Sequence, residues 1–342
     1  MTARCFLILG YVAILLGIFS STSNAAPLEL RVAAIQIDAI EGDPAQNRQR
    51  ATGLILEAAL AGAQLVLLPE VALSGYLLST ELWAAAEPGD GATVQWLQQL
   101  SHALGIWLGT SFIEADGPDF FNTFVLTDPD GTIAGKVRKQ WLAGHETLLT
   151  RGEPNAHIIE TAIGTIGVAI CYEATLCRAI RQLQEAHADL VLLPTADPVP
   201  AQYASDPPAA WDHNLADTTR IFAAGLGVPA VLANQGGQWH TALPGWLPAQ
   251  HSIYRGQSTI AAAGGTVLAT CDQQETLIVA DVLLDPALKT TDPPACYGIY
   301  NKPMPPASTL YQALTGTIGT LWYSCSRERR DQACAISGTC DW

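Results

Sequence analysis

The sequence predicts an α/β fold in which a layer of mixed strands is covered by helices. Three observations carry that prediction. Strand and helix signals alternate along most of the chain, nearly half of the 342 residues are hydrophobic, and several apolar runs stop at a polar residue. Alternation of this kind implies helices packed over a sheet. Length alone suggests about two domains, although a single layered unit reaches this size.

Each element follows in order. Residues 30–37 (LRVAAIQI) read as a strand and residues 43–63 as a helix. Residues 64–70 (QLVLLPE) are a buried strand stopped by Pro69, and residues 91–105 place Val94, Leu97, Leu100 and Leu104 at helical spacing. Residues 106–115 and 120–139 read as antiparallel strands, the latter stretch folded about the turn DPDG at 128–131. Residues 163–170 form a buried strand, a helix runs from Thr175 to Ala188, and residues 189–196 (DLVLLPTA) return to strand. A helix over 209–227, a strand over 229–235 and a strand pair over 257–270 and 275–284 complete the pattern. No internal repeat is present.

The two ends of the chain depart from this pattern. Arg4 precedes the apolar run FLILGYVAILLGIF at 6–19, and small residues Ser23 and Ala25 follow. A charged start, an apolar stretch and a small-x-small site mark a secretory signal. The 14-residue run is shorter than the roughly 20 residues a membrane-spanning helix needs. The expectation is an exported protein, secreted or periplasmic, cleaved near Ala25 and not inserted in a membrane afterwards, with an uncleaved anchor as the alternative. Cys5 precedes the apolar run and is out of place for lipid attachment. Removal of residues 1–25 takes Arg4 and no acid, moving the net charge from −15 to −16. So acidic a chain repels nucleic-acid phosphate and anionic lipid. Residues 26–285 then form the main domain, and residues 286–342 a cysteine-containing extension expected to pack on it through disulfides.

Seven cysteines remain after cleavage, at 171, 177, 271, 296, 325, 334 and 340. An odd number leaves one thiol over. If that thiol is Cys171, the other six can form three disulfides. No C-x-x-C pair and no histidine at close ligand spacing supports zinc, so neither metal nor cofactor is expected.

Three reactive groups lie where strands run out: Glu70 at the end of LVLLPE, Lys139 in GKVRKQWL, and Cys171 at the end of GVAIC. Ligands of open α/β sheets sit outside strand ends, so these three can converge. A thiol at a strand-to-helix turn feels a helix dipole that favours thiolate. A carboxylate can take its proton and an ammonium can stabilise an oxyanion. Together they make an acyl-transfer site without a metal. Singly, each has an ordinary explanation, since buried cysteines, a Pro-Glu pair after a strand and solvated lysines are all common.

Order and flanking residues add to this. LLPE…SGY (67–76), GKVRK with Glu146 seven residues after Lys139, and GVAICYE resemble the nitrilase, or carbon–nitrogen hydrolase, superfamily. The resemblance runs from about residue 30 to residue 284 and includes FNTFVLTDPDG, DLVLLPTA, RIFAAGLGVPAVLANQGG and RGQSTIAAAGGTVLA in order. It implies a four-layer αββα sandwich and a Glu-Lys-Cys triad. Glu70 would be the general base, Lys139 the oxyanion stabiliser, Cys171 the nucleophile, and Glu146 the support for the lysine. The Tyr172 N–H would be the second oxyanion donor, and Tyr76, Trp141 and Thr195 would line the substrate site. A base that also acts as acid needs a pKa near neutrality, which burial supplies.

Trp141 stands where this family often has histidine, which points to a pocket wall suited to an apolar substrate, or to simple core packing. Glu173 reads as a helix-start carboxylate. Cys177 is expected to pair away from Cys171; were the two bonded to each other, the site would be silent. Residues 238–256, with Trp239 and Trp246, cover the cleft or form an exposed loop. CYE resembles the amide-cleaving branches more than true nitrilases, so the expectation is an amidase acting on a small-molecule amide through a cysteine thioester, with nitrilase or N-acyltransferase activity, or a catalytically silent exported scaffold, as the alternatives. Members of the superfamily usually pair through the sandwich face, so a homodimer is also implied.

Overall fold

The structure is a computed structural model that describes residues 26–200, 214–242 and 249–340. The segment expected to be a secretory signal, the start of the helix expected from residue 209, and Trp246 lie outside these residues.

Side-chain alternation builds the layers. In the strand Leu28–Gln36, Leu30, Val32 and Ala34 enter one core and Ala33 and Ile35 another. In Leu190–Pro194, Leu190 and Leu192 join that first core while Val191 and Leu193 face a third. Strands apolar on both faces must be covered on both. The result is two sheets face to face over a shared core, each with helices outside it. Helices α1 (Pro44–Leu60) and α3 (Ala92–Leu104) cover the first sheet. Helices α4 (Cys177–Glu185) and α5 (Leu215–Leu226) cover the second. A single turn, α2 (Glu81–Ala84), lies between α1 and α3 in sequence. This is the αββα sandwich that the resemblance implies.

Local chemistry sets the helix ends. Pro44 opens α1 behind Asp43, whose side chain accepts from Gln46 N. Asn214 caps α5 in the same way, and Gly227 closes it in the left-handed conformation that glycine adopts without strain.

The first sheet runs, in spatial order, Thr276–Leu284, Leu28–Gln36, Leu65–Leu67, Trp107–Asp116, Asp119–Thr127 and Ile133–Arg138. The second runs Val267–Thr270, Thr259–Ala261, Ala230–Ala233, Leu190–Pro194, Gly164–Val168 and Ile158–Thr161. Leu65–Leu67 is parallel to its neighbours, and Gly164–Val168, Leu190–Pro194 and Ala230–Ala233 are parallel to one another. Glu70, Cys171 and Thr195 each follow the C-terminal end of one of these strands, and Lys139 follows Ile133–Arg138. The loop expected over 238–256 contains an antiparallel pair, Gln238–Thr241 with Gln250–Tyr254, and Trp239 is buried.

The extension beyond residue 286 holds two helices that sequence patterning leaves unassigned, α6 (Pro306–Cys325) and α7 (Arg327–Ser337). Helix α6 lies on the turn Gly144–Leu148 at backbone distance. A side-chain carbon at Gly144 would meet Thr315, and one at Gly319 would meet Thr147. Tyr323 accepts from Phe120 N at 2.9 Å, and Arg329 pairs with Asp119 at 2.7 Å. Two disulfides form, Cys177–Cys296 and Cys334–Cys340, rather than the three that parity permits. Cys171, Cys271 and Cys325 are free. The Cys271 thiol donates to Gln36 and Ser258, and burial pushes it up to about 11, while Cys325 lies exposed at the end of α6. Among the described residues no helix is long and apolar enough to cross a membrane.

Candidate active site

The strand ends bring Glu70, Lys139, Glu146 and Cys171 together. Lys139 Nζ donates to Glu70 Oε1 at 2.8 Å and to Glu146 Oε1 at 2.7 Å, with Lys139 and Glu70 wholly buried. The turn Gly144–Leu148 presents Glu146, whose second oxygen accepts from Ala143 N at 2.7 Å. Asn122 Nδ2 adds a 2.7 Å bond to Glu70 Oε1. The other Glu70 oxygen is buried without a hydrogen-bond partner among the described residues.

Two carboxylates sharing one ammonium cannot be equally satisfied. Burial raises Glu70, and although Lys139 opposes that, repulsion from Glu146 adds to it; the carboxyl is pushed up to about 7. Burial would raise Glu146 as well, but Lys139, His145 and the Ala143 N–H outweigh it, so Glu146 is lowered and stays ionised. Burial works against the Lys139 charge, but Glu146, Glu70 and Cys171 hold its pKa well above the ordinary lysine value. The neutral pKa expected for the base therefore has a structural cause.

Cys171 adopts φ 51°, a left-handed backbone unusual for a residue with a side chain and a local strain of the kind found at functional turns. Its Sγ lies 3.6 Å from Ala196 O, and its proximity to Glu70 helps to lower the carboxyl. The expectation of a dipole-stabilised thiolate is corrected. Cys171 opens a five-residue 3-10 turn, Cys171–Thr175, and α4 begins only at Cys177. Burial and the Glu70 charge raise the thiol well above its ordinary value despite Lys139, so the resting group is a neutral thiol. Cys177 is bonded to Cys296, and a silencing bond between Cys177 and Cys171 is absent.

The four expected substrate contacts fall in different places. Tyr76 is buried at the site, its hydroxyl donating to Glu146 Oε1 at 2.9 Å and lying 3.0 Å from His145 Nε2, with its ring against Trp239. Tyr172 is the second residue of the 3-10 turn, where a backbone N–H has no acceptor within the turn. Thr195 is buried, but its hydroxyl donates to Leu193 O and its carbonyl accepts from Glu70 N at 3.3 Å, so it positions the base. Trp141 is half-buried against the core outside the second sheet, its ring stacked on His157 at 5.1 Å and covered by Arg178 at 4.3 Å, which is the packing alternative.

Several residues of the site escaped sequence reading. Asn122 is the polar interruption of FFNTFV, and Gln235, which donates to Glu70 O at 3.0 Å, follows the strand Ala230–Ala233. Gln235 carries the signal that revealed Glu70, a polar residue where an apolar run stops, whereas Asn122 lies inside the strand Asp119–Thr127. Glu173 is more than a helix-start carboxylate. Fully buried, it accepts from Gln140 N at 2.7 Å and Trp141 N at 3.0 Å with one oxygen, and from Ile170 N at 2.8 Å with the other. It therefore joins the chain just after Lys139 to the chain just before Cys171.

An αββα sandwich with a thiol, an ammonium and two carboxyls at its strand ends defines a protein of the nitrilase superfamily. The chain belongs to the carbon-nitrogen hydrolase family, which it matches over residues 31–287. It is 30% identical over 256 residues to the hydrolase of the pqqF 5′ region of Pseudomonas protegens, covering 73% of this chain and 81% of that one. It is 29% identical over 255 residues to omega-amidase NIT2 of Xenopus tropicalis, covering 70% and 84%. Among solved structures, Nit3 of Saccharomyces cerevisiae shares the fold with a TM-score of 0.62 at 23% identity, covering 76% of this chain and 91% of that one. An amidase of Nesterenkonia does so with a TM-score of 0.60 at 24% identity, covering 75% and 91%.

Proposed function

We propose that this protein is an exported amidase that hydrolyses a small-molecule amide through a thioester on Cys171. The observation that carries the reading is the Lys139 ammonium held between two carboxyls, of which Glu70, raised to about 7, lies beside the neutral Cys171 thiol. As Cys171 Sγ attacks the amide carbonyl, its proton passes to Glu70. The developing oxyanion rests against Lys139, two of whose three donors are already taken, and against the Tyr172 N–H. Glu70 returns the proton to the departing nitrogen, which leaves as amine or ammonia. Water, deprotonated by Glu70, then attacks the thioester and releases the acid and the thiol.

The names of relatives support cleavage of amides. Besides omega-amidase, the chain is 27% identical over 270 residues to N-carbamoylputrescine amidase of Arabidopsis thaliana. In structures of a glutamate-to-glutamine mutant of the Nesterenkonia amidase, acrylamide has added to the active-site cysteine, and the acetamide moiety of fluoroacetamide is attached there. Export is supported by the amino-terminal segment and by Cys177–Cys296 and Cys334–Cys340, since disulfides persist in oxidising compartments.

The test uses fluoroacetamide followed by mass spectrometry, and a panel of amides and nitriles with release of ammonia and acid measured. A single acetamide adduct on Cys171, and loss of turnover in Cys171→Ala, are expected. Undiminished amide turnover in Cys171→Ala would remove the mechanism, and turnover of nitriles alone would remove the amidase reading.

A further inference from the structure

We propose that α6 is a dimerisation helix, pairing with α6 of a second copy of this chain. Its inner face is already used: Gln312 bonds Gly144 N, Gly319 approaches Thr147, and Tyr323 bonds Phe120 N. The face turned away from the body carries Tyr311, Leu314, Ile318, Leu321 and Cys325, all exposed, the first four between 50% and 64%. Their separations of three, four, three and four residues are those of a seam on which two helices wind about each other. Leu310 flanks the seam at 60% exposure. Trp322 does not belong to it, since that ring stacks on Trp83 at 6.0 Å.

Two further observations identify the occupant. Residues 306–325 include no charged side chain, in a chain of net charge −15. Two copies repel each other over most of their surfaces, and α6 is a place where they can meet without opposing like charges. The exposed apolar side chains of the seam and its flank offer roughly 600 Å² per copy, or about 1,200 Å² over the pair, the lower edge of the range for stable interfaces. A helix resting on lipid would instead carry basic residues along its polar face, and α6 carries none.

The experiment is analytical ultracentrifugation of the protein recovered from expression of the full chain, alongside the double variant Ile318→Glu with Leu321→Glu. Both side chains point to solvent, so an unchanged thermal melt and unchanged reactivity of Cys171 with fluoroacetamide verify the fold. Native protein should self-associate at about 10 µM, and the variant should sediment one association step lower, with its dimer dissociation constant raised about 100-fold or more. A charged thiol reagent on exposed Cys325 should produce the same shift without any substitution at the seam. Native protein that stays monomeric at about 100 µM overturns the proposal. So does a variant that sediments as the native protein does. Seam-dependent binding to phosphatidylcholine vesicles by a protein monomeric in solution would assign the face to lipid and overturn it too.

Discussion

Glu70 and Lys139 are joined by a 2.8 Å bond between two side chains with no solvent exposure. Their pairing is unequal, because Glu146 lies 2.7 Å from the same ammonium and accepts from Tyr76 and Ala143 as well. Fully ionised, the trio would bury a net negative charge, and Glu70 is the member on which a proton relieves it. The reaction proposed above uses that property, since the same carboxyl must accept a proton and return it within one turnover.

The pH profile follows. Below pH 7, Glu70 keeps its proton and cannot take the one on Cys171; above it, the carboxylate is free to act. kcat/KM should therefore show an acid limb centred near pH 7, falling about tenfold for each pH unit below it. Glu70→Gln should remove that limb together with most of the activity. A limb near the ordinary glutamate value would show that Glu70 is not the controlling base.

Replacing the ammonium tests the burial argument. Lys139→Met leaves Glu70 and Glu146 buried without their cation, which should cost about 3–5 kcal/mol of stability near neutral pH. Without lysine both carboxyls have folded pKa values above their unfolded ones, so the native state binds protons more tightly. The deficit should be present at high pH and shrink as pH falls and the carboxyls protonate. Urea denaturation of native and variant protein at pH 8 and pH 5 gives the comparison.

Glu173 reaches the chemistry through other residues. Glu173→Ala strands the N–H groups of Gln140, Trp141 and Ile170, and releases the spacing between Lys139 and Cys171. The expected result is a kcat lowered about 100-fold with KM changed far less, measured by steady-state kinetics. A change confined to thermal stability would limit Glu173 to a structural part.

The disulfide Cys177–Cys296 holds residues 296–301 against the nucleophile turn, where Asn301 Nδ2 donates to Ala174 O at 2.7 Å and Cys177 N donates to Ile299 O at 2.9 Å. Cys296→Ser should lower stability by about 3–5 kcal/mol, as expected for a bond closing a long loop. Hydrogen exchange should quicken at Cys177 and Asn301 before the central strands respond.

Sequence reading recovered what is periodic or abrupt. The layers could be read because apolar residues fill both faces of strands such as Leu190–Pro194, and Glu70, Lys139 and Cys171 stood out because each ends a run. Asn122 and Glu173 act on partners 52 and 33 positions away, and no local pattern records such a pairing. Helix α6 escaped because its longest apolar stripe faces away from the core, against the usual amphipathic logic. The thiolate expectation failed on one detail of register: the helix that would have supplied the dipole starts six residues beyond the sulfur.

The pairing of Leu28–Gln36 with Thr276–Leu284 has a consequence for biosynthesis. The first strand of the sandwich waits for its outer neighbour until almost all of the domain has left the ribosome. Until then it presents an open hydrogen-bonding edge along the nascent polypeptide. Closure of this seam between the earliest and latest segments of the sandwich is a late assembly event.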